Sequence, residues 1–142
     1  MATQMYVNLP VKDLDRSVNF FTRLGFGFGF NPQFTDSNAT CMVIGPDSFV
    51  MLLVENFFRT FTTKKICDAR RHTEVLICLA CDRREQVTDR VGQAIAAGAT
   101  TPNPPQDHGF MYPHGFQDLD GHLWELMYMD ARAMPPPGPG LS

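Results

Sequence analysis

Alternation of apolar and polar residues predicts a strand near the start of the chain, followed by a helix and further strands. Residues 5–11 form a short apolar run that is typical of a strand. A helix is expected from about residue 15 to 24, with Asp15 as its cap, and Gly25 ends it. A final apolar strand is expected over residues 48–54. The apolar stripe of this helix consists of Val18, Phe21 and Leu24, with Phe20 as a further candidate.

The second half of the chain repeats this pattern. Residues 74–81 predict another apolar strand, and a helix is expected to follow through Ala97, closed by Gly98. Residues 122–129 predict the last strand. Each half therefore reads as one β-α-β-β-β unit, written twice along the chain.

The last strand carries a carboxylate on an otherwise apolar face. Asp120-Gly121 predicts the tight turn of a hairpin, since glycine tolerates positive φ. Alternation then places Glu125 on the face of Leu123 and Met127, and His122 on the opposite face, where a structural role is expected. A buried unpaired charge costs several kcal/mol, so Glu125 needs a partner, a metal, a water-filled cavity or a position in solvent.

Three motifs in this order resemble those of the vicinal oxygen chelate superfamily of glyoxalases, extradiol dioxygenases and bleomycin-resistance proteins. They are the run from Val11 to Phe21, the helix end Leu24-Gly25-Phe26, and the run from Asp118 to Leu126. The resemblance covers about residues 4 to 129.

The resemblance implies an α+β fold in which two βαβββ units form a cupped sheet with outer helices. One domain is expected over residues 1–130, with units at about 4–55 and 73–129 joined by a linker at 56–72. The proline-rich segment 131–142 predicts a disordered tail. A homodimer is also implied, because cups of this family are commonly completed across a two-fold axis.

In such proteins four inward residues, two from each unit, usually hold a divalent metal. Carried over to this chain, these positions fall on Tyr6, Leu52, Glu74 and Glu125. Leucine has no lone pair and a neutral phenol is a poor ligand for hard cations. Glu74 and Glu125 with waters could hold Mg²⁺ or Mn²⁺ weakly, but no tightly bound cofactor is expected. As a close pair they could instead share a proton, or one could face solvent at the rim.

A second unusual run, residues 106–116, is rich in histidine and aromatic residues, and its glycines and Pro113 predict a loop. His108 or His114 could transfer a proton or bind an anion at the mouth of the cup. Equally, the aromatic residues could plug the sheet while the histidines bond to the backbone. The ligand-binding candidates in this run are Tyr112 and Phe116.

The predicted linker is basic and aromatic. A basic patch there could attract an anionic substrate, although linker solubility explains the charges as well. Phe57, Phe58 and Phe61 could form a lid or a subunit contact. The basic residues are Arg59, Lys64, Lys65, Arg70 and Arg71.

Composition narrows the remaining choices. The chain has 142 residues, 44% of them hydrophobic, and a net charge of −3, which disfavours nucleic-acid binding. No run reaches the ~18 apolar residues of a membrane span and no signal peptide is recognisable, so a cytoplasmic protein is expected. The four cysteines fit a reducing compartment. Cys78 and Cys81 have CxxC spacing, but on a strand they point to opposite faces.

Two functions remain open. The first is a glyoxalase-like enzyme, a lyase or isomerase acting on a carbonyl compound by proton transfer, with Glu125 as base and His108 or His114 assisting. The second is a metal-free protein that binds or sequesters a planar small molecule, as the resemblance to bleomycin-resistance proteins implies. Such a binder would use aromatic stacking and a few polar anchors.

Overall fold

The computed structural model describes residues 3–25 and 29–132 and contains two separate β-sheets and three α-helices. Phe26 and residues 133–142 of the expected tail lie outside the described residues. The strands of the first unit are β1 (Met5–Val11), β2 (Gly29–Asn31), β3 (Ala39–Val43) and β4 (Ser48–Val54), and those of the second unit are β5 (Leu76–Cys81), β6 (Met111–Gln117) and β7 (Leu123–Met129). The helices are α1 (Leu14–Arg23), α2 (Glu55–Phe58) and α3 (Arg84–Ala96).

Both sheets have their first and last strands side by side and parallel. The first sheet has the order β1-β4-β3-β2, with β1 parallel to β4 and the other pairs antiparallel. The second has the order β5-β7-β6, with β5 parallel to β7 and β6 antiparallel to it. This repeated arrangement confirms the α+β fold class that the sequence predicts.

The second unit departs from the expected pattern in two places. Its strand after α3 is reduced to a single bridge between Thr100 and Gln117. The expected loop over residues 106–116 is wrong in its second half, since Met111–Gln117 is strand β6. Pro113 misled the prediction, because proline is rare in central strands but tolerated in an edge strand such as β6.

The helix starts are fixed by side chains that accept backbone N–H groups. Asp13 caps α1 by accepting the N–H of Arg16 at 3.1 Å, so the cap lies two residues before the expected Asp15. At α3, the side-chain oxygen of Gln86 accepts the N–H groups of Asp82 and Arg83. Both helices therefore begin three residues after the strand that precedes them.

A single hydrophobic core joins the two units. Helix α1 belongs to the first unit, but its aromatic side chains pack on the second sheet: the ring of Phe21 lies 5.1 Å from Trp124, and Phe20 lies 6.0 Å from Phe116. Val87 and Val91 of α3 belong to the same buried cluster. Helices α1 and α3 therefore pack on the core face of the second sheet, and one cluster of buried side chains joins both units.

The turn between β6 and β7 is built around the buried carboxylate of Asp118. Its Oδ1 accepts the N–H groups of Asp120 and His122, and its Oδ2 accepts the indole N–H of Trp124 at 2.9 Å. Burial raises the pKa of Asp118, while the nearby His122 and these hydrogen bonds oppose that rise. The turn thus keeps its carboxylate satisfied without exposing it to water.

The same turn contacts the first unit. The Oδ1 of Asp120 accepts the backbone N–H of Lys12 at 2.9 Å, and its Oδ2 accepts the hydroxyl of Ser17 at 3.2 Å. His122 Nε2 lies 2.7 Å from the carbonyl oxygen of Pro10, which confirms the expected structural role of this histidine. On the other side, Arg70 of the linker donates to the carbonyl of Leu119.

Glycine is required at position 121 for two reasons. Its φ is +97°, and a Cβ there would lie 2.7 Å from the backbone of Ala69 and Arg70. We expect Gly121→Ala to lower the free energy of unfolding by about 3 kcal/mol, through backbone strain and displacement of the linker. Chemical denaturation measures this change.

The matched control is Gly92→Ala, because Gly92 lies in α3 and a Cβ there would meet no atom within 4 Å. This variant should be more stable by about 0.5–1 kcal/mol, since alanine favours a helix interior. Equal effects of the two substitutions would contradict the proposed packing of the turn against the linker.

Candidate functional site

The face of the second sheet opposite the core, here called the open face, carries the acidic residue singled out by the sequence. Trp124 and Leu126 of β7 are buried, so the alternating residues Leu123, Glu125 and Met127 lie on the open face. Strand β5 contributes its own alternating residues beside them, with Cys78 paired to Glu125 in the register of the two strands. The prediction that Glu125 lies on an otherwise apolar face is confirmed for β7.

Glu125 borders a cavity of about 210 Å³, here called the Glu125 pocket. One side of this pocket is the open face, and the other is the segment that follows α3 and runs along the edge of β6. The lining residues are Leu76, Leu123, Glu125, Pro113, His114, Gly115, Phe116, Trp124, Pro102, Asn103, Pro104 and Gln106. Most of the side chains around the carboxylate are therefore apolar.

The carboxylate of Glu125 makes no hydrogen bond or ion pair with any residue in the described part of the chain. A titratable group on the same face, the thiol of Cys78, lies opposite Glu125 in the register of β5 and β7. Burial raises the pKa of Cys78, and the negative charge of Glu125 raises it further. The pKa of the Cys78 thiol is thus raised above its ordinary value, which favours the neutral thiol.

The two candidate histidines are placed differently. His114 borders the Glu125 pocket, but its Nε2 lies 3.1 Å from both the carbonyl oxygen of Asn103 and the hydroxyl of Thr101, so its ring is held by these groups. His108 lies in an exposed loop and is not among the residues that line this pocket. Glu125 and His114 thus border one cavity from opposite faces of the sheet, since His114 pairs with the buried Leu126, and His108 lies outside this cavity.

The two aromatic candidates from the same run lie on the core side of β6. Phe116 is 1% exposed and stacks on Trp124 with ring centroids 6.4 Å apart, so its ring is held in the core. The guanidinium of Arg84 lies over the ring of Tyr112, with the guanidinium carbon atom 4.8 Å from the ring centroid. The expectation that these rings face a ligand assumed a loop, whereas the strand places Tyr112 against Arg84 of α3 and Phe116 in the core beside the Glu125 pocket.

The positions carried over to the first unit also need correction. Tyr6 is 43% exposed and stacks on Phe49 at 4.6 Å, on the face of β1 opposite the core. Leu52 is 0% exposed and belongs to the core, so the expectation that it faces the cup is wrong by one residue. The strand register pairs Cys78 with Glu125 and Asn8 with Met51, so Met51 takes the position equivalent to Glu125.

Glu74 lies near a different cavity from Glu125. It is exposed, precedes β5 by two residues, and borders a cleft of about 390 Å³ between the linker and the ends of both sheets. This linker cleft shares Leu123 with the Glu125 pocket. Tyr6 lies as many residues before the start of α1 as Leu76 lies before the start of α3, so Leu76 is the position equivalent to Tyr6. The position carried over to the second unit, Glu74, is therefore two residues too early.

These placements do not fit the four-ligand metal site that the family resemblance implies. Leu52 is in the core, Tyr6 stacks on an aromatic ring, and Glu74 borders a separate cleft. Among residues 3–25 and 29–132, no three His, Cys, Asp or Glu side chains are grouped so that they could hold a metal ion. No step of the proposed function is therefore routed through a metal.

Sequence reasoning missed the wall opposite Glu125. Residues Pro102, Asn103 and Pro104 line the pocket and precede the run 106–116 that the sequence singles out. The cluster of three prolines at 102, 104 and 105 was the available signal, since prolines disfavour regular structure and stiffen a surface segment. Their position along the edge of β6 required the three-dimensional structure.

Comparison with known proteins agrees with this fold. A family model described as bleomycin resistance protein-like N-terminal matches residues 3–45. The structure of the hypothetical protein SA1046 from S. aureus is 30% identical, with a TM-score of 0.75, and the match covers 90% of this chain and 95% of that one. A glyoxalase/bleomycin resistance protein/dioxygenase family enzyme from Burkholderia phytofirmans PsJN is 19% identical, with a TM-score of 0.74 and coverage of 90% and 99%. The chain belongs to the vicinal oxygen chelate superfamily.

Within this superfamily fold, the neighbours include a fosfomycin resistance protein, FosX from Listeria monocytogenes. It is 19% identical with a TM-score of 0.65, and the match covers 96% of each chain. A search among curated proteins found no significant match. None of the helices in the described part of the chain has the length and apolar character needed to cross a membrane.

The lack of a partner for Glu125 leads to a prediction about stability. We expect Glu125→Gln to leave the free energy of unfolding unchanged or to raise it by up to ~1 kcal/mol, because the charge contributes no ion pair and loses hydration. The matched control is Asp120→Asn. Its amide NH₂ group would face N–H and O–H groups whose hydrogen bonds the carboxylate of Asp120 now accepts, so the free energy of unfolding should fall by about 1–3 kcal/mol. Thermal and urea unfolding compare the two. A loss of ~3 kcal/mol or more in Glu125→Gln would show that Glu125 has a structural partner.

Proposed function

We propose that this protein binds a small organic molecule in the Glu125 pocket, with the carboxylate of Glu125 as the polar anchor. The observation that supports this most directly is a carboxylate without a protein partner among the described residues, placed in a pocket that also offers apolar surface. Such a group gains free energy when a ligand supplies a hydrogen-bond donor or a cation. The fold of the superfamily is compatible with this use, but the identity of the ligand does not follow from it.

The pocket favours a ligand of limited size with two kinds of surface. Leu76, Leu123 and Pro113 provide apolar contact for a flat hydrocarbon or aromatic body. Glu125 favours an N–H or O–H group, or a protonated amine, on one edge of that body. The proposed ligand class is therefore a planar molecule with a donor group, bound without a resident metal.

A second candidate is proton transfer on a carbonyl compound, as in a glyoxalase-like lyase or isomerase. The observation in its favour is that Glu125 and His114 border one cavity. Glu125 would remove a proton from a carbon next to the carbonyl group. His114 is less suited to assist, because Thr101 and Asn103 hold its Nε2.

We propose further that two copies of the chain form the working unit. Leu76 is 62% exposed on the open face of β5, and Tyr6 is exposed on the equivalent face of β1. Both strands lie at sheet edges in the described structure. A second copy laid on these faces would cover apolar surface and close the Glu125 pocket.

The free cysteines, including exposed Cys67 and Cys78, support a reducing compartment such as the cytoplasm.

Sedimentation at micromolar concentration tests the dimer. We expect one species near twice 16.0 kDa for the natural chain. Leu76→Lys should shift it to the monomer, because a charge on the covered face would be buried at the interface. The matched control Ile95→Lys, an exposed apolar residue on α3, should remain dimeric. A monomeric natural chain would contradict the proposal.

Ligand binding is tested by calorimetric titration of compounds found in a thermal-shift screen of aromatic amines, alcohols, carbonyl compounds and their hydrocarbon analogues. We expect donor-bearing compounds to bind and Glu125→Gln to weaken them by roughly tenfold or more, since a charged hydrogen bond is lost. The control Glu85→Gln changes an exposed carboxylate of α3 and should bind as the natural chain does. Binding that is unaffected by Glu125→Gln would place the ligand elsewhere.

The same samples distinguish binding from catalysis and test the expected lack of a tightly held metal. Incubation of each bound carbonyl compound in D₂O, followed by NMR, detects proton exchange, which should be absent for a pure binding protein. Deuterium incorporation that disappears in Glu125→Gln would favour the enzyme. Elemental analysis after gel filtration should show no near-stoichiometric transition metal. Bound nickel, zinc, iron or manganese at one per chain would overturn the interpretation of Tyr6 and Leu52.

A further inference from the structure

The linker cleft is a second cavity, distinct in chemistry from the Glu125 pocket. It lies where the linker passes over the end of β1 and the turn before β7, and its volume is about 390 Å³. Its wall is mainly apolar, with contributions from Phe58, Ile66, Val75 and Leu123. Nothing in the proposed function uses this cavity.

Two lysines border the cleft without partners. The side chains of Lys64 and Lys65 make no ion pair or hydrogen bond with any residue that the structure describes. The neighbouring basic residues of the linker are already engaged: Arg59 pairs with Glu55, and Arg71 lies 3.8 Å from Asp68. Arg70 donates to the carbonyl of Leu119 and does not line the cleft, so Lys64 and Lys65 are the cations of this segment that border the cleft without an ion pair among the described residues.

The cleft has more positive than negative side chains along its wall. Glu74 is the acidic residue that lines it in the described structure, against Lys64 and Lys65, with His72 and His122 as additional titratable groups. An apolar cavity bordered by unpaired ammonium groups favours a molecule with an apolar body and one anionic group. A neutral apolar molecule would leave the lysines as they are, and a cation would be repelled.

We propose that the linker cleft is a binding site for a small amphipathic anion, a molecule with an aromatic or aliphatic body and a carboxylate, sulfonate or phosphate group. The body contacts Ile66, Val75 and Leu123, and the anionic group binds Lys64 and Lys65. The site lies beside the Glu125 pocket, with which it shares Leu123, but it does not depend on Glu125. Its ligand therefore differs in charge from the donor-bearing ligand of the proposed function.

Two fluorescent probes with the same aromatic body test this site on the full-length chain. The anionic probe is 8-anilinonaphthalene-1-sulfonate, and the neutral probe is N-phenyl-1-naphthylamine. We expect the natural chain to bind the sulfonate more tightly than the neutral probe. The double variant Lys64→Gln/Lys65→Gln should weaken the sulfonate by roughly fivefold to thirtyfold, as two exposed charge pairs would, and leave the neutral probe unchanged.

The charge-matched control is Lys12→Gln/Arg132→Gln, which removes two exposed positive charges that do not line the cleft. It should bind both probes as the natural chain does. Val75→Trp should weaken both probes, because the larger side chain occupies the cleft. Glu125→Gln should leave the affinity for the sulfonate unchanged, so that the outcome is separate from that of the proposed function.

Three results would overturn the proposal. The first is equal affinity of the natural chain for the two probes, and the second is an unchanged affinity for the sulfonate in the lysine double variant. The third is equal weakening by the lysine variant and its charge-matched control, which would show that net charge alone attracts the sulfonate. Circular dichroism of each variant confirms that the substitutions of exposed lysines leave the fold intact.

Discussion

Two carboxylates in one tight turn connect the halves of this protein. Asp118 accepts three hydrogen bonds within the turn and so fixes its shape, while Asp120 accepts the backbone N–H of Lys12 and the hydroxyl of Ser17 in the first unit. The last strand, the start of α1 and the linker all take their positions from this contact. Glu125 lies on that strand, so the geometry of both cavities depends on the same turn.

Much of the fold could be predicted from sequence because its elements carry strong local signals. The apolar runs at 5–11 and 48–54 became β1 and β4 with those bounds, and Gly121 adopts the positive φ that its turn requires. The failures came from tertiary context. Met111–Gln117 forms a strand because pairing with β7 overrides the local effects of glycine and proline.

The site was less predictable than the fold, since side-chain direction along a strand depends on single-residue register. Alternation placed Glu125 on the correct face because the Asp120-Gly121 turn marks the point from which the strand residues alternate. Leu52 was misplaced because its position was carried over from the family resemblance, and an error of one residue turned a core side chain into an expected ligand contact. The two lysines of the linker cleft were visible as basic residues, but their common cavity depends on how the linker crosses the sheet ends.

Pro113 has a consequence for how the sheet meets other chains. It lies in edge strand β6, where it offers no N–H group, and its carbonyl already accepts the N–H of Gln106. Along β6, a strand from another chain would therefore meet a missing N–H donor and a carbonyl that is already hydrogen-bonded. Both features protect this edge of the sheet against edge-to-edge aggregation. The unprotected edge is β5 on the other side. Strand β5, which carries Leu76 and Cys78, contains no proline, so it lacks none of the N–H groups that a strand added at that edge would use.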